Sequence, residues 1–306
     1  SDSNQFLVQL SGDDPPMDDL TSFAVESSTP LWLIQSYYFG FTINEHDQMV
    51  LYVYGKGEGI EIFNRQGERI QTIRTNEQCA LTSPPFPVTM LAIPGASLVI
   101  MGVQDSYEAF FLQPNATDRA HVSIWDIKNN ICSDLIEEFD GVLTSLSASY
   151  DGRYISYVFF VDTPQARVRT TRIFDLKLRK EKCELVGGLE AHFTRQGLLV
   201  VYGSPEGSVS IVTPEDCEVE KKFDVGTEII YAVSLSPDGE LLAGVTRFAI
   251  LFWDLQTGEK LHEIEIGNPD LRLIGFSPDG RFLVTAKRID DLLDKNQLML
   301  WGISEE

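Results

Sequence analysis

Short runs of apolar, β-branched and aromatic residues, separated by turn residues, repeat along most of this 306-residue chain. In the clearest example, Tyr231–Ile266, four such runs are joined by three tight turns. Ser236-Pro237-Asp238-Gly239 is typical of a turn, because proline fixes φ and Asp-Gly accepts a positive φ. The pattern predicts four short antiparallel β-strands. Because a lone four-stranded sheet of this size cannot bury both faces, it also predicts neighbouring copies.

Copies of this unit are present on both sides of it. The turn glycines of four copies lie 41 to 45 residues apart, at Gly152, Gly197, Gly239 and Gly280. A second marker, an aromatic residue followed by a polar or small residue, ends a strand in five copies: Phe63-Asn64, Trp125-Asp126, Phe174-Asp175, Trp253-Asp254 and Trp301-Gly302. A period of about 40 to 45 residues with this strand content is typical of a propeller blade.

Ser-Pro-Asp-Gly followed by Trp-Asp resembles the WD40 repeat, over roughly residues 25–304 and most clearly over 142–304. The resemblance implies an all-β fold, a single closed β-propeller of four-stranded antiparallel blades that mainly holds other macromolecules. Six blades are visible, at about 25–76, 88–138, 142–186, 188–224, 228–266 and 270–304. A seventh would need strands from 17–40, including Leu31-Trp32-Leu33-Ile34.

The first 24 residues differ from the repeats. An acidic, proline-bearing connection, Gly12–Asp19, follows a strand-like run at Phe6–Leu10. The last blade ends just after its Trp301 strand and so lacks an outer strand. We expect Phe6–Leu10 to supply that strand and close the ring; the alternative is a separate edge strand.

One departure from the family concerns histidine. Gly226 and Gly267 occupy the place of the family's Gly-His pair, but Thr227 and Asn268 follow them. In the family, that histidine joins a buried hydrogen-bond network with a turn aspartate and the strand tryptophan. The sequence therefore predicts that this network is largely missing and that the blades are held together by apolar packing.

The net charge of −22 and the pI of about 4.5 restrict the partners. Nucleic acid and anionic lipid both require basic surface, so we expect neither, and we expect a protein or peptide partner of basic or mixed charge. No apolar run approaches the roughly 20 residues needed to span a bilayer. The chain begins with neither a secretory signal nor a Met.

The four cysteines are Cys79, Cys132, Cys183 and Cys217. No CxxC pair or His/Cys cluster is present, so we expect no metal and no cofactor. Three of them begin the outermost strands of successive blades, which we expect to splay beyond disulfide reach. We therefore predict reduced thiols and a cytoplasmic protein, with a nuclear location and secretion left open.

Insertions distinguish the blades from one another. From turn glycine to marker position, which Val212 occupies in the copy with Gly197, the copies with Gly239 and Gly197 take 14 and 15 residues, whereas those with Gly280, Gly152 and Gly95 take 21, 22 and 30. The excess always falls between the second and third strands. All three insertions should therefore project from one rim of the ring, which WD40 nomenclature calls the top.

These insertions hold the candidate partner-binding residues. Within 287–297 we consider a short helical turn. Phe86, in a connection between blades, should emerge on the same rim. The alternative is that the aromatic residues continue lengthened strands and the arginines pair with local acids. The candidates are Tyr107, Phe110, Phe111, Phe86, Arg167, Arg169, Arg288 and Asp290.

No catalytic motif is recognisable, and we predict no catalytic residues. We expect a non-catalytic scaffold or adaptor that binds its partner through the top rim. One alternative is a sensor or targeting propeller within a larger multidomain protein. Another is a propeller hydrolase with a channel-lining site, for which Glu190 and His192 are the polar residues on a predicted innermost strand.

Overall fold

The computed structural model describes residues 5–11, 18–24, 30–36, 38–43, 48–53, 59–64, 66–74, 86–93, 96–104, 119–162, 167–202, 209–223, 225, 228–267, 271–277, 279–290 and 295–302. Every regular element in these ranges is a β-strand. Among the residues described, none forms a helix with the length and apolarity that a membrane crossing requires.

Twenty-six strands form seven sheets within the described ranges. The first three sheets are β1(Gln5–Ser11)-β2(Asp18–Ala24)-β3(Pro30–Ser36), β4(Tyr38–Ile43)-β5(Met49–Val53)-β6(Gly59–Phe63)-β7(Arg69–Arg74) and β8(Phe86–Ala92)-β9(Leu98–Gln104)-β10(Arg119–Asp126)-β11(Ile131–Asp140). The fourth and fifth are β12(Val142–Ala148)-β13(Tyr154–Asp162)-β14(Arg167–Asp175)-β15(Lys180–Val186) and β16(Glu190–Phe193)-β17(Leu199–Tyr202)-β18(Val209–Val212)-β19(Val219–Phe223). The sixth and seventh are β20(Ala232–Leu235)-β21(Leu241–Val245)-β22(Ala249–Asp254)-β23(Lys260–Glu265) and β24(Leu271–Phe276)-β25(Phe282–Asp290)-β26(Lys295–Gly302).

The all-β fold of four-stranded antiparallel sheets confirms the predicted fold class. The number of sheets matches the seven-blade alternative, because β2 and β3 arise from the stretch that a seventh blade would need. The expected closing strand is placed differently. β1 pairs with β2 in continuous register, from Gln5 opposite Ala24 to Ser11 opposite Asp18, instead of with β26.

Each four-stranded sheet has two distinct ends. At one, which we call the turn end, tight turns join the first strand to the second and the third to the fourth. At the other, the insertion end, the second strand connects to the third. In the sixth sheet the turn end carries Ser236–Gly239 and Asp254–Gly258. Its insertion end carries only Thr246–Phe248.

Burial follows the position of a strand in its sheet. In β9, all residues after Leu98 are buried, and β22 is mostly buried, because both faces of an inner strand are covered. The fourth strands β7, β19 and β23 are mainly exposed, and β23 has no fully buried residue. Gly244 lies on the second strand of its sheet, where an added Cβ would stand 2.9 Å from a ring carbon of Trp253.

The chain divides into two compact units. The N-terminal unit comprises Ser3–Val168 and Asp175–Arg179, and the C-terminal unit includes Arg169–Phe174 and Lys180–Glu306. Aliphatic residues and one tryptophan form the main core of the N-terminal unit: Val50, Ile60, Ile62, Ile73, Met90, Val99, Met101, Val103, Trp125, Ile127 and Cys132. In the C-terminal unit, one core cluster surrounds Trp253, whose indole meets the Phe223 ring edge-on at 6.0 Å.

Polar contacts join consecutive sheets in addition to the predicted apolar packing. In the N-terminal unit, Gln71 Nε2 donates to the Ile127 carbonyl at 3.1 Å. In the C-terminal unit, the Phe276 amide donates to Ser234 Oγ at 3.1 Å. The indole of Trp125 donates to Ser123 Oγ at 3.1 Å within β10. Hydroxyl and amide side chains therefore add hydrogen bonds to the apolar packing.

The turn between the first and second strands has the same hydrogen bonds in three sheets. The serine hydroxyl donates to the aspartate two residues later, as in Ser149 to Asp151 at 2.6 Å and Ser277 to Asp279 at 2.7 Å. The aspartate also accepts an amide hydrogen bond, such as that of Arg153 at 3.0 Å. The serine hydroxyl bond lowers the pKa of Asp151 below its ordinary value. These bonds close the turn with side chains that the sequence supplies locally.

The turn between the third and fourth strands depends on the aspartate that follows the aromatic marker. Asp126, Asp175 and Asp254 each accept the backbone amide of the residue three positions later, at 2.9, 2.8 and 2.6 Å. Asp175 is fully buried, and Arg153 Nε lies 3.3 Å from its Oδ2. Burial alone would raise the pKa of Asp175. The hydrogen bond from the Leu178 amide and the charge of Arg153 together outweigh this effect, so the pKa lies below its ordinary value.

A disulfide joins Cys183 on β15 to Cys217, with the Cα atoms 6.1 Å apart. Cys132 is disulfide-bonded as well. The prediction of reduced thiols is therefore wrong. The physical reason is that Cys217 lies in the turn before β19, not on an outer strand, and its left-handed backbone (φ 66°) places it within reach of β15. The cytoplasmic prediction loses the support that it drew from reduced thiols.

Replacing the buried aspartate should change stability in a pH-dependent way. Asp175→Asn keeps an acceptor for the Leu178 amide but removes the charge facing Arg153. A depressed carboxylate pKa stabilises the fold above its unfolded value of about 3.9, and that contribution is lost as the pH falls through the folded value. The variant should therefore be less stable than the native protein at neutral pH, and the difference should shrink in acid.

Urea unfolding between neutral pH and about pH 2.5 measures this difference. Asp140→Asn is the matched control, because Asp140 is exposed and lies 3.7 Å from exposed Arg119. Exposed pairs contribute little, so this control should follow the native curve. A destabilisation by Asp175→Asn that stays constant across the pH range would contradict the role assigned to the charge.

Removing the disulfide should destabilise the C-terminal unit. The bond closes a loop with a sequence separation of 34 residues. Loss of such a loop closure costs about 2–4 kcal/mol. The double variant Cys183→Ser/Cys217→Ser should therefore unfold at a lower urea concentration, while Glu220→Ser on exposed β19 should not. Equal midpoints for the double variant and the native protein in non-reducing buffer would contradict a stabilising crosslink.

Candidate partner-binding surface

The predicted insertions extend the sheets as hairpins wherever the structure describes them. β13 continues to Asp162 and β14 begins at Arg167. In the seventh sheet, Lys287 pairs with Gln297 and Arg288 with Asn296. The helical turn considered for 287–297 is therefore wrong in its described part, since both flanks continue the ladder as strands.

The base of the longest insertion is fixed by a buried glutamine. Gln104, at the end of β9, is fully buried. Its Nε2 donates to the carbonyls of Arg119 at 2.8 Å and Gly141 at 3.1 Å, and its Oε1 accepts the Leu143 amide at 3.2 Å. These bonds join the two feet of the insertion to the first strand of the next sheet. The predicted residues Tyr107, Phe110 and Phe111 lie outside the described residues.

Arg167 is exposed at the first position of β14. Its guanidinium carbon lies 4.1 Å from the centroid of the Phe160 ring, in a cation–π contact. Val168, next to it, is 39% exposed. The planar guanidinium thus lies over an aromatic face on a residue that is exposed to solvent. This is an arrangement that can bind a carboxylate or a backbone carbonyl.

The remaining candidates occupy separate positions. Arg169 is half-buried in β14, and its carbonyl accepts the Gly187 amide at 2.8 Å. Phe86 begins β8, and Arg288 and Asp290 lie in the last part of β25. Arg167 belongs to the N-terminal unit and Arg169 to the C-terminal unit. Their joint role with the aromatic residues of the long insertion stays a prediction.

The sequence interpretation missed an exposed aromatic residue on the shortest insertion. Phe248 is 48% exposed between β21 and β22, and the Arg247 guanidinium lies 5.4 Å from the centroid of its ring. Ile229, 49% exposed, precedes Tyr231, whose amide donates to Val245 at the foot of the same hairpin at 2.8 Å. The candidates were predicted from the longest insertions, and Phe248 lies on the shortest one. The available signal was an aromatic residue at a turn position, where exposure is expected.

Glu190 and His192 lie on one face of β16, since they are two residues apart on a strand. His192 Nε2 is 3.3 Å from Glu190 Oε2, and both side chains are more than a third exposed. A carboxylate beside an imidazole can orient a general base. In the described ranges, no group of three His, Cys, Asp or Glu side chains is arranged to hold a metal ion.

Comparison with known proteins gives a short sequence match and broad structural ones. No protein-family model matches the chain. The small ribosomal subunit protein RACK1y of Oryza sativa subsp. japonica is 32% identical over 88 residues, which cover 28% of this chain and 26% of that protein. The matched part is therefore about a quarter of the length of that relative.

Two solved structures share the fold over most of the chain. The Dos1 propeller matches with a TM-score of 0.65 and 14% identity, over 88% of this chain and 71% of that one. The β-propeller domain of Cps50 (Swd1) from Myceliophteria thermophila matches with a TM-score of 0.64 and 13% identity, over 94% and 92%. These matches show that the chain has a β-propeller fold, and its repeated Ser-Pro-Asp-Gly and Trp-Asp markers resemble those of WD40 repeats.

Proposed function

We propose that this propeller is a non-catalytic scaffold or adaptor that binds a protein or peptide partner through the insertion ends of its sheets. The observation that carries the proposal is the Arg167–Phe160 pair. A buried aromatic ring holds an exposed arginine at the start of an extended hairpin. Arginine and aromatic residues are the types that dominate binding energy at protein interfaces.

Rigid support for this surface strengthens the proposal. Gln104 fixes the feet of the longest insertion through three hydrogen bonds. Loops anchored on a rigid scaffold lose less conformational entropy on binding than free ones. The name of the rice relative describes a component of a ribosomal subunit, a protein held in a larger assembly. That description supports the proposal that this chain also binds other proteins within a larger complex.

The charge of the chain suggests the nature of the partner. With a net charge of −22, a basic or mixed-charge partner is attracted over long distances and a nucleic acid is repelled. Exposed apolar side chains at insertion ends, Val168 in one unit and Phe248 in the other, supply the desolvated contacts that charge alone does not. We therefore infer a protein partner of basic or mixed charge that bears apolar side chains and places a carboxylate or a backbone carbonyl opposite Arg167.

The sensor or targeting alternative and the cellular location each require a separate measurement. A sensor or targeting role within a larger protein would appear in the full-length gene product. The cytoplasmic location stays a prediction, which the disulfides of Cys183 and Cys132 oppose. Non-reducing mass analysis of the protein from its native source decides between the oxidised and reduced forms.

Partner capture tests the proposal directly. In one variant, 105–118 is replaced by Asn-Gly, which together with Arg119 forms a three-residue hairpin loop between the paired residues Gln104 and Ala120. In a second, Arg167→Glu reverses the stacked charge. Both should lower partner recovery from native lysate by roughly tenfold or more, while the thermal melting temperature stays close to that of the intact protein.

The matched control for charge reversal is Lys222→Glu, on exposed β19, which should leave recovery unchanged. Equal recovery with all variants would contradict the proposal. If no stable partner is captured and the protein instead hydrolyses a lactone or ester, with turnover lost in His192→Ala, the hydrolase alternative replaces it.

A further inference from the structure

Two turns lie together at the turn end of the fourth sheet, opposite its insertion end. Ser149–Gly152 joins β12 to β13, and Leu176–Arg179 joins β14 to β15. The Leu176 amide donates to the Arg153 carbonyl at 2.8 Å, directly after the first turn. The Arg153–Asp175 ion pair links the same two segments. The two turns therefore form one fixed surface within the N-terminal unit.

This surface departs from the other repeats at two apolar positions. Tyr150 takes the place of proline in the Ser-Pro-Asp-Gly turns, and it is 54% exposed. Leu178 stands three residues after the marker aspartate, where other copies have Asn129 and Thr257, and it is 53% exposed. Large apolar side chains thus replace proline and polar residues at positions that face solvent.

A third departure concerns Arg179, four residues after the marker aspartate. This position has a left-handed backbone in two other copies that have a marker aspartate, with φ of 57° at Asn130 and 80° at Gly258. Asparagine and glycine tolerate that conformation, whereas a long side chain such as arginine is disfavoured there. Arg179 nevertheless has a φ of 51°. The turn therefore keeps a cation at its tip despite local strain.

The charges at this surface differ from those of the whole chain. Lys177 and Arg179 are exposed, and neither forms an ion pair with any residue that the structure describes. The neighbouring carboxylates are already engaged: Asp175 with Arg153, and Asp151 with the Ser149 hydroxyl and the Arg153 amide. An excess of positive charge stands here on a chain of net charge −22.

The local positive charge on an acidic chain favours an acidic partner segment at this surface. An acidic segment is repelled by most of this molecule; the long insertion 105–118, for example, holds three carboxylate residues and no lysine or arginine. Lys177 and Arg179 attract it locally, and Tyr150 and Leu178 provide apolar contact beside them. A nucleic acid or an anionic membrane presents a much larger negative surface, which the rest of the chain repels. We propose that Tyr150, Lys177, Leu178 and Arg179 form a second docking surface, which binds a short acidic peptide segment bearing apolar side chains.

A peptide-display selection followed by affinity measurement tests this surface. A random library of peptides of about twelve residues is selected against the intact protein, a length that spans two turns in extended form. Enriched sequences should combine Asp or Glu with aromatic or aliphatic residues. In fluorescence polarisation, a labelled enriched peptide should bind roughly tenfold or more weakly to Lys177→Glu/Arg179→Gly. Glycine suits the left-handed position, so this variant should not melt at a lower temperature than the native protein.

The repeat supplies a matched control. Lys128 holds the slot of Lys177 in the third sheet, so Lys128→Glu makes the same charge change at an equivalent turn and should leave peptide affinity unchanged. Absence of acidic-apolar enrichment, or full binding by Lys177→Glu/Arg179→Gly, would overturn the proposal. Tighter binding of oligothymidylate or of phosphatidylserine vesicles, lost in the same variant, would also overturn it in favour of a polyanion.

Discussion

Side-chain hydrogen bonds that close the turns are the interactions on which the rest of this propeller depends. Its strands are as short as four residues, so strand pairing alone contributes few backbone bonds per sheet. The marker aspartates Asp126, Asp175 and Asp254 each hold the third-to-fourth-strand turn, and serine–aspartate pairs hold the first-to-second-strand turn. With one end of these sheets fixed in this way, the other end can vary in length without loss of register.

Apolar burial stabilises the same sheets. The inner strands are covered on both faces, and Trp125 and Trp253 are the largest fully buried side chains among the described residues. The polar links between consecutive sheets, such as Gln71 to the Ile127 carbonyl, add direction that apolar contacts lack. A divergent repeat without the family histidine therefore remains ordered, because amide and hydroxyl side chains satisfy buried donors and acceptors elsewhere.

The sequence predicted features that are encoded locally. The turns at Ser236–Gly239 and Asp254–Gly258 follow from proline, aspartate and glycine at fixed spacing, and so the strands between them could be placed. Long-range features were harder. β1 could pair with β2 or with β26, and the local sequence does not decide between these strands. The Cys183–Cys217 bond depends on a left-handed turn that brings Cys217 back toward β15. The exposure of Phe248 was missed because a short hairpin gives no signal in loop length.

The crosslink between Cys183 and Cys217 has a consequence for the covalent integrity of the chain. All of β16, β17 and β18 lies between the two cysteines in sequence. A protease that cleaves once within this interval leaves both fragments attached through sulfur, and the neighbouring sheets keep their relative anchoring at that point. The nick becomes visible as two polypeptides only after reduction. In an oxidising environment, one backbone break in this region therefore does not release either half of the molecule.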